Sequence, residues 1–268
     1  MSEYLDKFQA VMFALSSISL FLYLVVIIYP PIVNFFVTYE YYDFTSKSVF
    51  FLNVLTSESN ILYRNSGFAS EPGLYQFLLN LALWWKLRQC NKIDFCTFIF
   101  IASIFTTNST AGLLCMFLIL FLSSKGRVRW FIVLCVIVAL PIILPQLQYH
   151  ITQKMVGSES FEGRFSPFLN AFTYSFSNPL GIGSVEYSAI YKELNIGGWD
   201  SFSQIVIRYG YQGLIFVLFF LVVLFLRSLT LGCLLLVSFF SQAIWFYPVV
   251  SCFYFWSFNF SKPKSNST

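Results

Sequence analysis

The feature that most constrains this chain is a series of long apolar runs, which follow one another along most of its length. A helix needs about 20 predominantly apolar residues to cross the hydrocarbon core of a bilayer. The first run, residues 8–29, has that length and contains no charged residue. Only 10% of all residues are charged, whereas soluble domains carry about 25%. The sequence therefore predicts an all-α, polytopic membrane protein and excludes a soluble globular domain.

Eight apolar segments are long enough to cross a membrane, alone or with help from neighbouring helices. The polar residues 106–110 divide one apolar stretch, which we interpret as two short helices, although one helix with a polar middle is an alternative. The chain is then a single membrane domain, 1–268, with two long polar loops at 30–71 and 148–203. The predicted spans are 8–29, 72–87, 93–105, 111–122, 130–147, 204–226, 230–247 and 249–260.

Basic residues fall in the short segments between the predicted spans. Short cytoplasmic loops are enriched in lysine and arginine, so these segments indicate which side each loop occupies. In the eight-span layout all basic clusters lie on one side, which makes both termini cytoplasmic and places both long loops outside. The clusters are Lys7; Lys86, Arg88 and Lys92; Lys125, Arg127 and Arg129; Arg227; and Lys262 with Lys264.

Several common functions have no counterpart in this sequence. The glycine-rich motifs of ATP-binding and nicotinamide-binding proteins are absent. The single histidine, His150, and the six cysteines do not have the spacing of a metal site. The net charge of +4 is modest, and its distribution follows membrane topology. We therefore expect no metal, no cofactor and no nucleic-acid partner.

The end of the first polar loop combines charged residues with the start of a helix. Pro72 suits the first helical turn, and Ser70 or Glu71 suits its cap. The N–H groups at a helix start attract anions, and Arg64 could add a bidentate contact to a phosphate. The simpler interpretation is a capped helix with an arginine that reaches the membrane surface, and the residues alone favour it.

The second polar loop and the span after it hold further candidate residues. Gly181 and Gly183 permit tight turns and a close approach of backbone N–H groups to a ligand, although an ordinary turn is the simpler interpretation. Arg208 lies about one turn inside a predicted span, where a charge is costly unless it is paired or functional. Tyr187, Tyr191 and Trp199 could stack on sugars, but a position at the membrane interface would also explain them.

Short motifs lie in and beside the two loops, in a fixed order over roughly residues 60–220. The first loop contains Arg64-x-x-Gly67-Phe68-x-x-Glu71-Pro72-Gly73. The second region contains Gly163-Arg164, Asn178-Pro179-Leu180-Gly181-Ile182-Gly183, Asp200-Ser201 and Gly210-x-x-Gly213-Leu214. Each motif is short and unspecific by itself. Together they resemble bacterial O-antigen polymerases of the Wzy type, whose superfamily also contains the O-antigen ligases.

This resemblance implies a glycosyltransferase of the GT-C class in the bacterial inner membrane. Such a polymerase moves a glycan from its polyprenyl pyrophosphate carrier to a lipid-linked repeat unit on the periplasmic side, with no nucleotide sugar and no metal. Family arginines hold the pyrophosphate, and the matching positions are Arg64 and Arg164, to which we add Arg208. The resemblance leaves the acceptor-activating residue unassigned, and our own hypothesis is that Asp200 or Glu71 accepts the proton of the attacking hydroxyl. Membrane lipid and a chain-length regulator are further candidate partners.

The chain departs from that family in two respects. Relatives have more spans, often ten or more. The ligases carry a histidine where this sequence has Asp200, which favours a polymerase over a ligase. The alternatives are an O-antigen ligase, a non-enzymatic transporter and a structural membrane subunit. A transporter with a site at the membrane midplane would need ionisable residues deep in its spans, and the sequence has few.

Overall fold

The computed structural model describes residues 2–41, 44–50, 52–57, 60–90, 93–124, 129, 162–184, 187, 200–248 and 250–253. The chain divides into two compact units, Met1–Thr152 and Gln153–Thr268. Most of the described residues are helical, as the composition predicted, and the first unit also contains a small sheet.

The helices of the first unit begin and end where local signals in the sequence predict. The first helix stops before Pro30 and Pro31, which cannot continue a helix and instead open a short 3₁₀ helix, Pro30–Phe35. The predicted division of residues 93–122 into two helices is confirmed, because Ser109 caps the second one by accepting the Gly112 N–H at 3.3 Å. The α-helices are α1 (Ser2–Ile28), α2 (Pro72–Cys90), α3 (Phe95–Thr106) and α4 (Thr110–Ser123).

Side-chain contacts fix the directions of α1, α2 and α3. The Nε1 of Trp85, near the end of α2, donates to the Asp6 carboxylate near the start of α1 at 2.7 Å. The Nζ of Lys86 lies 2.7 Å from the carboxylate of Asp94, which caps the start of α3. Helices α1 and α3 therefore run antiparallel to α2, and the start of α1, the end of α2 and the start of α3 share one end of the bundle.

A four-stranded antiparallel meander occupies the first polar loop, for which the sequence had predicted no regular structure. The all-α expectation is therefore incomplete in this segment. The sheet packs on the end of α1, where Tyr23 and Val26 form an apolar cluster with Leu52 and Val54. The strands, which are hydrogen-bonded in chain order, are β1 (Val37–Tyr41), β2 (Phe44–Val49), β3 (Leu52–Ser57) and β4 (Asn60–Gly67).

The second unit is built around one long helix. Its elements are α5 (Glu162–Ser177), α6 (Ser201–Arg227) and α7 (Leu229–Ser241). Helix α6 packs against both of the others. Its backbone is interrupted at Gly210, where φ is 63° and ψ is −161°. Ser228 separates α6 from α7 and caps α7 by accepting the Leu231 N–H at 3.4 Å.

Within the described residues, two helices are long and apolar enough to cross a membrane, Glu3–Ile28 and Ser201–Arg227. They correspond to the first and sixth predicted spans. Helices α3, α4 and α7 are apolar but shorter, with 12, 14 and 13 residues. The predicted span at 130–147 and most of that at 249–260 lie outside the described residues. The eight-span layout and the cytoplasmic position of both termini therefore stay predictions.

Candidate functional site

The carboxylate of Asp200 fixes the start of α6. Its Oδ1 accepts the Ser203 N–H at 2.8 Å, and its Oδ2 accepts the Ser203 hydroxyl at 2.6 Å. The side chain is buried. Burial raises the pKa of Asp200 above its ordinary value, while the two Ser203 hydrogen bonds act in the opposite direction. The residue predicted to accept a proton is thus also the cap of the helix that carries Arg208.

Ser201 fastens the same helix end to the chain that follows α7. Its hydroxyl donates to the carbonyl of Gln242 at 2.7 Å and accepts the N–H of Ile244 at 2.9 Å. These two bonds bring the next residue, Trp245, over α6. The position of an aromatic ring on this face therefore depends on a serine about 40 residues earlier in the chain.

Three polar residues, Asp200, Gln204 and Arg208, follow one another at four-residue intervals and share one face of α6. Trp245 covers this face: its Nε1 donates to Oε1 of Gln204 at 3.1 Å, and its ring centre is 5.9 Å from Cζ of Arg208. The ring of Tyr187 is closer to the guanidinium, at 4.4 Å. Cation–π attraction to both rings holds the positive charge in place.

The guanidinium of Arg208 retains hydrogen-bonding capacity. Its Nε is buried and has no hydrogen-bond partner among the described residues. Within the same residues, no carboxylate forms an ion pair with it. A buried donor without a partner costs about 1–3 kcal/mol, more when it is charged. Guanidinium groups are well suited to bind phosphate.

The interruption of α6 at Gly210 is filled by the segment 178–182. The N–H of Ile182 donates to the carbonyl of Ile207 at 2.9 Å, and the N–H of Tyr211 donates to the carbonyl of Pro179 at 3.0 Å. A Cβ on Gly210 would lie 2.1 Å from the Pro179 oxygen, so only glycine fits. Two backbone groups beside the break, the Ile207 carbonyl and the Tyr211 N–H, are therefore bonded to this segment.

The two glycines predicted to shape a turn have different surroundings. Both have positive φ, 81° for Gly181 and 77° for Gly183. A Cβ on Gly181 would lie 2.5 Å from the Gly210 nitrogen and 2.6 Å from the Arg208 carbonyl oxygen, whereas one on Gly183 would meet nothing within 4 Å. Gly181 thus allows close contact with α6 beside Arg208, whereas Gly183 has open space around it.

In the first unit, Arg64 lies on β4 and is half-buried. Its Nε donates to the carbonyl of Thr107, between α3 and α4, at 3.2 Å. The next residue, Asn65, accepts the Ser19 hydroxyl at 2.9 Å and donates to Thr106 Oγ1 at 2.9 Å. Arg64 therefore has a structural contact in a strand that is tied to α1 and α3, and its phosphate-binding role stays a prediction.

The other predicted residues are placed as follows. Helix α2 begins at Pro72 as predicted. Glu71 directly precedes it and is half-buried. The Glu71 carbonyl accepts the Tyr75 N–H at 3.2 Å. Arg164 belongs to α5, and its side chain lies outside the described part of the structure. Arg64 and Glu71 belong to the first unit and the remaining candidates to the second. A shared site around one pyrophosphate stays a prediction.

Sequence reasoning missed Gln204 and Trp245. The four-residue spacing of Asp200, Gln204 and Arg208 was a readable signal, because three polar residues on one face of an apolar helix need a polar partner. Trp245 carried no such signal, since it lies in an apolar run that we interpreted as a span. Among the described residues, no cluster of three or more histidine, cysteine, aspartate or glutamate side chains could hold a metal ion.

No family model, curated protein or solved structure matches this chain. The resemblance to O-antigen polymerases therefore depends on the motifs alone, and the contacts around Arg208 are the evidence from the structure that bears on a binding site.

Proposed function

We propose that this chain is a membrane glycosyltransferase of the O-antigen polymerase type, which joins polyprenyl pyrophosphate-linked oligosaccharides at the periplasmic face of the bacterial inner membrane. The observation that supports it most is the Arg208 guanidinium, which is held against the rings of Tyr187 and Trp245 and has no carboxylate partner among the described residues. The motif resemblance suggests the reaction, and the polar face of α6 is the candidate binding site for the donor.

The diphosphate of the donor lies against Arg208 in this proposal. When the carrier leaves, negative charge develops on its phosphate oxygens, and a cation fixed beforehand stabilises that charge. Tyr187 and Trp245 hold the guanidinium and limit its motion, so that little entropy is lost on binding. Arg64 and Arg164 are the further pyrophosphate ligands that the resemblance implies, and no cofactor is required.

The acceptor hydroxyl must lose a proton as it attacks. Asp200 is the preferred base, because burial raises its pKa and a carboxylate with a higher pKa is a stronger base. It lies two helical turns before Arg208 on the same face, about 12 Å along the helix axis at about 1.5 Å per residue. Gln204 and the Trp245 ring bonded to it lie between the two groups, so an acceptor sugar would have to displace Trp245. Glu71 remains the second candidate for this role.

The test is complementation of a strain that lacks its own O-antigen polymerase. Arg208→Ala, Arg64→Ala and Arg164→Ala are each expected to reduce the lipopolysaccharide ladder to core capped with a single repeat unit. Arg227→Ala is the matched control, since it removes an arginine from the last turn of the same helix. Long chains that persist in all three variants would contradict the site, provided that each variant is present in the membrane at the wild-type level.

A non-enzymatic transporter is the second candidate, and the break in α6 is the observation that favours it. Interrupted helices often expose backbone groups that bind substrate in transporters. Here, however, the N–H of Tyr211 and the carbonyl of Ile207 are bonded to Pro179 and Ile182. The break therefore offers fewer groups to a ligand than such a site requires. An unchanged ladder after deletion of the gene would favour a transporter, whereas bare core with accumulated lipid-linked polymer would indicate a ligase.

A further inference from the structure

The sheet of the first unit has an apolar rim at one end, formed by Ile28, Tyr29, Phe35, Val37 and Phe50. All five side chains are exposed, and those of Ile28, Phe35 and Phe50 are 82%, 84% and 88% exposed. No charged residue belongs to the rim. Large apolar groups exposed together in this way mark a surface that meets another apolar phase or partner.

Strand pairing places this rim at the end of the sheet that joins the helices. The chain enters the sheet from α1 at Val37, which pairs with Ser48, and leaves it for α2 at Gly67, which pairs with Asn53. Phe50 lies in the turn closed by the pair of Val49 with Leu52, next to Ser48 and Asn53. Val37, Phe50 and Gly67 are therefore at the same end.

The opposite end of the sheet is marked by the pairs Tyr41 with Phe44 and Ser57 with Asn60. It is the end away from the connections to α1 and α2.

The residues in the turn at Phe50 are not those that its backbone conformation favours. Two-residue hairpin turns favour Asn-Gly, because their residues adopt positive φ. Phe50 has φ of 48° and is followed in the sequence by Phe51. An aromatic residue is costly in that region, and Phe50 recovers nothing by packing, since it is almost fully exposed. A local conflict that neither the turn nor the core explains is typical of a functional position.

We propose that this rim inserts into the headgroup and upper acyl region of the bilayer that α1 crosses. The rim continues the exposed apolar side of α1, where Phe21, Leu24 and Ile27 face outward. Because α1 has the length and hydropathy of a spanning helix, the rim lies at the level where its lipid-facing surface ends. Tyrosine is enriched at that level, and phenylalanine is common on the apolar face of elements that lie there. The sheet is thereby held at a fixed depth relative to the bilayer.

The test replaces single residues with a benzophenone-bearing phenylalanine in the full chain, reconstituted in liposomes and irradiated. Positions 35 and 50 are expected to form lipid adducts, detected by mass spectrometry. Position 45 is the control, because Thr45 lies about 17 Å along β2 from Phe50 at about 3.4 Å per residue. The proposal fails if positions 35 and 50 form no lipid adduct, if position 45 labels equally, or if the adducts join two copies of the chain.

A second variant separates insertion from folding. Phe50→Gly suits the positive φ, so the sheet should fold with equal or greater thermal stability in detergent. The lipid adduct at position 35 should fall about threefold or more, because the membrane loses the burial of one phenylalanine. An unchanged adduct at position 35 in the stably folded Phe50→Gly chain would show that the rim does not insert as a unit. Neither experiment depends on the glycosyltransferase proposal.

Discussion

The Cζ of Arg208 lies 4.4 Å from the ring centre of Tyr187, a buried side chain that also contacts Ala171 and Ile207. The cation is thus held by a residue that precedes α6 in the chain as well as by Trp245 from the chain after α7. Three separate segments of the second unit therefore set the position of one guanidinium.

Loss of this ring should reduce stability more when the cation is present than when it is absent. Tyr187→Leu is expected to lower the free energy of unfolding by about 1 kcal/mol more in the wild-type chain than in the Arg208→Met chain, because only the former loses a cation–π contact. Thermal unfolding of the four chains in detergent measures this difference. Equal losses in both backgrounds would show that Tyr187 contributes packing alone.

Gly210 should tolerate no side chain. Gly210→Ala combines a positive φ with a contact of 2.1 Å to the Pro179 oxygen, and is expected to destabilise the second unit by roughly 2 kcal/mol or more. Gly183→Ala is the matched control, since it has a similar φ but open space around the Cβ, and should cost about 1 kcal/mol or less. Denaturation midpoints compare the two. Similar losses would mean that the contact with segment 178–182 is unimportant.

The cap and the base roles of Asp200 can be separated by two substitutions. Asp200→Asn keeps an acceptor for the Ser203 N–H, so it should retain stability but abolish transfer, whereas Asp200→Ala should also lose about 1 kcal/mol of stability. Measurement of unfolding and of polymer formation with the same preparations distinguishes them. Full activity in the Asn variant would exclude Asp200 as the base.

The stability of the Asp200→Asn chain relative to wild type should depend on pH. Burial raises the pKa of the carboxyl, so the folded state disfavours the ionised form. The stability that the protonated group contributes is present below its ordinary pKa and is lost as the pH rises through the raised value. Across this range, the free energy of unfolding of the Asn variant should increase relative to that of the wild type as the pH rises. A difference that does not change with pH would contradict the burial effect.

Asp94 should behave in the opposite way. Its hydrogen bonds with Lys86 and with the Thr97 N–H lower its pKa from 3.8 to about 2. Its contribution is therefore present above about pH 4 and is lost as the pH falls toward 2. Because the side chain is 44% exposed, solvent limits the gain to about 1 kcal/mol or less. The stability difference between wild type and Asp94→Asn should vanish over that interval, and a constant difference would contradict it.

The helices that the sequence predicted well are those with local signals. The apolar length of α1 and α6, Pro72 at the start of α2 and Ser109 before α4 depend on neighbouring residues, so they can be read without knowledge of the fold. The sheet was missed because our reading relied on hydropathy, and residues 37–67 are too polar for a span. Their aromatic and β-branched residues, as in Val37–Tyr41, were the available signal.

The candidate site could be predicted only in part. Arg208 was identifiable as a charge in an apolar helix, and Asp200 as an acidic residue at its start. The contacts of Trp245 with Gln204 and of Tyr187 with Arg208 join residues distant in sequence through packing. No periodicity or motif encodes such contacts. The capping role of Asp200 was readable from its position directly before the helix, with Ser203 three residues later.

The interruption at Gly210 also determines how much of α6 is available to lipid. Beyond it, residues 211–227 extend for about 25 Å at about 1.5 Å per residue, nearly the thickness of the hydrocarbon layer. If this stretch alone crosses the bilayer, Arg208 lies at the membrane–water interface and its charge stays outside the hydrocarbon core. A variation in bilayer thickness would then tilt the lipid-embedded stretch, while the polar face before Gly210 keeps its orientation.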